Sequence, residues 1–124
     1  MDTDDLDNLV GKWHDFADQP AQVIHGQFTE NGIRLTNLVV LKLLGQTGEN
    51  EFTSADQFTK FVIELRQNER AWSSRLGEIL INANSLVSSG DTSSARKVFD
   101  EFEVTCPWLS FVSIARTQRE NTLP

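Results

Sequence analysis

Apolar positions recur along most of this chain at the spacing of helices rather than of strands. Leu6, Leu9, Val10, Trp13, Phe16 and Ala17 fall three and four residues apart, which predicts an amphipathic helix over about Thr3 to Ala17. Thr3 or an early aspartate can cap it, and acids in its first turn suit the positive end of the helix dipole. Pro20 ends it. Further on, Phe58, Val62, Leu65, Glu69, Trp72, Leu76, Ile79, Ala83 and Leu86 step alternately by four and three, with Glu69 as the polar member of a heptad-like seam. Thr53 and Asp56 offer an imperfect capping box for this helix. Unbroken from Thr53 to Ser88 it would be ~54 Å long, against ~35 Å for a compact domain of this size. A break or kink is therefore expected in the polar run Arg66-Gln67-Asn68-Glu69-Arg70. The seam would also suit a homodimeric coiled coil, but Phe61 and Leu80 widen the stripe towards a globular core face.

Between these two segments the pattern is harder to read. Asn31-Gly32 is a two-residue turn signal, preceded by Phe28 and followed by Ile33 and Leu35 in alternation, so a short β-hairpin near 22–36 is open to the chain. The run from Asn37 to Leu44 is too short for periodicity to separate strand from helix. Helix is preferred, capped by Thr36 or Asn37 and closed by Gly45. Residues 45 to 52 form a polar loop without the Gly-Lys-Ser/Thr of a phosphate-binding loop.

The sharpest local signal lies after Ala83, where an apolar helix stops at Gly90-Asp91 and another begins at once. Asp91 caps the second helix, which turns Ala95, Val98, Phe99 and Phe102 inward, and Pro107 ends it. Thr105 or Cys106 then starts a last helix to about Gln118, with Trp108, Phe111, Val112 and Ala115 as its inner face. The polar tail 119–124 is expected to fray. Ala83, Leu86, Gly90, Ala95, Phe99 and Pro107 stand at the spacings of one tetratricopeptide repeat, and the hairpin at about 76–107 resembles that family. The resemblance implies a helix pair that packs, and no chemistry. One period upstream of Ala95, Phe99 and Pro107 stand Phe61, Leu65 and Ser73, so a second copy is missing and a repeat array is excluded. The fold expected is mainly α, a single domain over 1–124 built as a bundle of about five to six helices.

Charge changes the picture more than composition does. The chain has 124 residues and a net charge of −7, and residues 1–30 hold seven acids against Lys12 alone. The remaining 94 residues are nearly balanced, with eleven acids and ten bases. Such a surface disfavours nucleic acid and favours a basic protein partner. Cys106 is the single cysteine, which excludes an internal disulfide and suits a reducing compartment. No signal-peptide pattern opens the sequence and no apolar run approaches the ~20 residues of a membrane span, so a cytoplasmic protein that does not engage a membrane is expected.

Candidate chemistry is sparse. His14 and Asp18 lie four apart, but a zinc site needs three or four ligands and no motif supplies the others. Cys106 lacks a neighbouring histidine that would activate it and reads as a structural thiol. Trp13, Trp72 and Trp108 all sit on apolar stripes and read as core. No catalytic, metal-binding or cofactor-binding residue is assigned. Asp4, Asp7, Asp15 and Asp18 do gather within an arc of roughly 80° on the first helix, opposite its apolar face. Asp100, Glu101 and Glu103 form a second acidic group. In type, this small acidic chain without catalytic residues is similar to bacterial toxin-immunity proteins. That resemblance implies an inhibitor whose carboxylates meet the Lys and Arg of a basic toxin or nuclease. The alternative is a helical adaptor that holds a peptide helix in an apolar groove of the hairpin between Trp72 and Phe102.

Overall fold

A computed structural model describes residues 3–122, and the side chains of residues 3–5 lie outside that description. Six helices follow one another, α1 (Thr3–Ala17), α2 (Ala21–Gly26), α3 (Glu30–Leu44), α4 (Ala55–Ser88), α5 (Thr92–Thr105) and α6 (Leu109–Asn121). There is no strand among the described residues. Two compact units divide the chain at Asn68 and Glu69.

The first unit contains α1, α2, α3 and the opening turns of α4. Trp13 of α1 and Phe58 of α4 are fully buried, with Ile24, Val39, Leu43 and Val62 around them in the core. Phe58 is ringed by Phe16, Phe28 and Phe52 at centroid distances of 6.1, 5.6 and 5.2 Å. Such tilted and edge-on contacts are the favoured aromatic geometries. Asp18, just past α1, takes two hydrogen bonds from the Arg66 guanidinium, at 2.8 and 3.3 Å.

The stretch open to a hairpin is helical throughout. Thr29 has extended backbone and its hydroxyl accepts from the Gly32 amide at 3.2 Å, so Thr29 is the N-cap of α3 and Asn31-Gly32 lies in its first turn. The cap therefore lies seven or eight residues before the one expected at Thr36 or Asn37; Thr36 is buried, and its hydroxyl donates to the Gly32 carbonyl. Gly45, with φ of 66°, closes α3 as expected. Asn37 then holds the following loop, accepting from the Asn50 amide at 2.9 Å.

Of the break or kink expected at 66–70, a break does not occur. The helix α4 runs for 34 residues, and Glu69 lies within it at 4% exposure. Arg, Gln and Glu are good helix formers and the run has no proline, so its polarity interrupts the apolar seam without ending the backbone hydrogen bonds. The boundary between the two compact units does fall in this run.

The second unit contains the rest of α4 with α5 and α6. Gly90, at φ of 86°, reverses the chain. The Asp91 amide donates to the Leu86 carbonyl at 2.8 Å and the Gly90 amide to the Val87 carbonyl at 3.0 Å, the paired bonds of a Schellman motif. Asp91 caps α5 in turn, accepting from the Ser94 amide at 3.1 Å, and these bonds to Ser94 hold its carboxyl below the ordinary range. Ala95, Phe99, Phe102, Trp108, Val112 and Ala115 form the core with Leu76 and Ala83. Residues 119–121 of the expected frayed tail continue α6, and residues 123–124 lie outside the described part.

Gly11 sits mid-helix in α1, and a methyl group there would meet nothing within 4 Å. Glycine in a helix interior costs roughly 0.5–1 kcal/mol relative to alanine. Gly11→Ala is expected to stabilise the first unit by about that amount. Urea unfolding followed by circular dichroism measures it, and a destabilised variant would contradict the free space around this position.

Candidate functional site

The acidic residues separate into those satisfied within the fold and those left open. On α1, Asp7 and Asp15 are exposed and make no ion pair with any described cation, while Trp13, Leu9 and Ala17 fill the opposite face. Asp18 is engaged by Arg66. Asp4 falls where side chains are not described.

The second acidic group is mostly neutralised by α6. Arg119 donates to Asp100 at 2.7 Å, and Arg116 donates to Glu103 at 3.1 Å. Glu103 Oε2 also lies 3.3 Å from Arg119 Nε, close enough for attraction but off the line of a hydrogen bond. The hydrogen bond to Asp100, and then the nearby carboxylates, raise the Arg119 pKa further. Glu101, between these two acids in sequence, is exposed and has no ionic partner among the described residues. A step of about 100° per residue turns it away from the α6 side of α5.

These pairings were not legible in the sequence, because Arg116 and Arg119 are 13 and 19 residues from their partners and meet them only through the packing of α5 on α6. His25 Nε2 lies 3.0 Å from Asp56 Oδ1 on the surface, and Arg34 pairs with Glu30 one turn away. Among the described residues, no three His, Cys, Asp or Glu side chains gather as metal ligands. Cys106 is buried; burial pushes its thiol pKa up, and the Sγ donates to the Trp108 carbonyl at 3.7 Å. No described helix is long and apolar enough to cross a membrane.

Two surface grooves among the described residues have room for a ligand or a partner segment. One, of about 660 Å³, lies on α3 beside the 45–50 loop and is lined by Ile33, Leu38 and Leu41 under a rim that includes Arg34 and Glu49. It carries no signal that a sequence could reveal, because Leu38 and Leu41 read there as ordinary members of an apolar run. The other, of about 580 Å³, lies between α4 and α5. Trp72 and Phe102, the residues expected to bound the hairpin groove, meet edge to face with ring centroids 5.8 Å apart. The open space lies beside that contact. Comparison with protein-family models, with characterised proteins and with solved structures gives no match to this chain.

Proposed function

We propose that this chain is a non-enzymatic binding module that docks on a basic protein and neutralises it, in the manner of an immunity-type inhibitor. The observation that carries this reading is the state of Asp7 and Asp15. Both are exposed on one face of α1 with no described cation to answer them, whereas Asp18, Asp100 and Glu103 are each bonded to an arginine of the same chain. The whole first unit, residues 1–68, holds eleven acids against five bases, and the second unit is nearly balanced with seven against six. A field of this kind steers a cationic surface into contact and makes association sensitive to salt. Opposing carboxylates would cover the Lys and Arg that such a partner uses on its own substrate.

The partner is a basic protein recovered with the tagged chain from its native cell, and its affinity is then measured by calorimetry at low and high salt. Asp7→Lys with Asp15→Lys is expected to weaken binding at least about tenfold, with a flatter salt dependence and an unchanged far-ultraviolet spectrum. Wild-type affinity in the doubly reversed variant, or binding indifferent to salt, would sink the reading.

A further inference from the structure

Two apolar side chains stand apart from all others at the described surface. Val104 is 83% exposed and Ile81 74%, while the next large apolar residue, Leu109, is 48% exposed. Both belong to the hairpin of the second unit. Val104 lines the 580 Å³ groove between α4 and α5 together with Ile79, Val98 and Phe102, and Ile81 lies three residues beyond Glu78, which also lines it. Ile81 is not part of that lining, which on α4 is formed by Arg75, Glu78, Ile79 and Asn82.

The charges around this floor are specific. Glu78 on α4 and Glu101 on α5 border the groove from its two helices, and neither has a described cation as partner. The contrast within α5 is instructive, because Asp100 and Glu103 are taken up by Arg119 and Arg116 and only the acid on the groove side is left unanswered. Arg75 also lines the groove, but its guanidinium sits over the Trp72 ring at 5.1 Å. A furrow between two packed helices accepts a third helix by the ordinary fit of ridges into grooves. A second copy of the chain would bring the same two carboxylates to the contact, with only Arg75 to oppose them, which disfavours an isologous dimer here.

We propose that this groove binds an amphipathic helix of a partner protein, one whose apolar stripe is flanked on both sides by lysine or arginine. Val, Ile and Leu of the stripe cover Ile79, Val98 and Val104, and the flanking cations meet Glu78 and Glu101. The site is distinct from the α1 face, and either can fail without the other.

The test uses the full chain and a labelled peptide helix of about five turns, with leucine at the stripe positions and lysine on both flanks. Controls carry glutamate on the flanks or the lysine peptide's composition in scrambled order. Fluorescence anisotropy gives the affinities, and amide shifts in a nitrogen-15 spectrum locate the contact. The lysine-flanked helix is expected to bind at least about tenfold more tightly than either control. Shifts should concentrate in residues 75–82 and 98–105. Val104→Lys, at a position exposed enough to leave the fold intact, and the pair Glu78→Gln with Glu101→Gln should each weaken binding about fivefold or more. Asp7→Asn with Asp15→Asn should leave it unchanged. Equal binding of the scrambled peptide, absence of binding, shifts elsewhere, or a self-associated chain that Val104→Lys dissociates would each overturn the proposal.

Discussion

Replacing Trp108 with alanine is expected to unfold the second unit. The indole is fully buried, with the Phe111 ring 6.3 Å away and its own backbone carbonyl accepting from the Cys106 thiol. Its position immediately before α6 makes it both the plug of the core and the start of the helix. Truncation of a buried tryptophan to alanine costs ~3–5 kcal/mol through lost transfer energy and the cavity left behind. A core of the size that residues 69–124 can build rarely supplies more than about that amount. The expected result is loss of amide-exchange protection across 109–121 together with a drop in helical signal at ordinary temperature. A variant that keeps its protection and loses less than ~1 kcal/mol in urea would mean that the core around Trp108 can collapse to fill the gap.

Gly32→Ala is the second large effect, and it acts through the backbone. A methyl group at this position would overlap the carbonyl oxygen of Gln27 and touch the Phe58 ring. Neither atom has room to retreat. The Gln27 carbonyl accepts from the Thr29 amide at 2.7 Å, and Phe58 is fully buried within the aromatic cluster. Overpacking of this kind typically costs 1–3 kcal/mol, and the upper end of that range is expected where the obstruction is main chain. The α2–α3 turn should open, which exchange at residues 28–34 would report. Gly11→Ala is the natural control, being the same substitution in open space; equal behaviour of the two would remove the steric argument.

The same glycine explains why the sequence leaves a hairpin open near 22–36. Asn-Gly followed by alternating apolar residues is a hairpin signal because both residues tolerate positive φ. Here Gly32 lies inside a helix, and its lack of a side chain serves the close approach of Gln27. The deciding residue is Thr29, whose capping role shows only in the hydrogen bond its hydroxyl accepts from the Gly32 amide. By contrast the turn at Gly90-Asp91 was legible in full, since a left-handed glycine and a capping aspartate act on adjacent backbone and depend on nothing distant. The continuity of α4 through Glu69 was not legible for a third reason. A polar residue on an apolar seam suggests a break or kink, whereas helix propensity and the seam are separate properties of the run, and the helix does not break.

Of the candidate site, the sequence supplied the arc of Asp7 and Asp15 because one helix alone fixes it. It did not distinguish Glu101 from Asp100 and Glu103, since which acids remain open depends on how α6 presents its arginines. The groove beside the Trp72 and Phe102 contact depends likewise on the packing of two helices. Tertiary packing therefore decides which of the evenly spaced acids stay available for a partner.

Cys106 gives the second unit a built-in clock. The thiol is almost wholly covered, its ionisation is suppressed by burial, and it is the one cysteine of the chain. Only an exposed thiolate attacks a disulfide reagent. The rate at which a disulfide dye labels the native protein therefore counts openings of this region, one molecule at a time, with no engineered probe. Because labelling is irreversible on that timescale, the same residue also marks which molecules have ever opened.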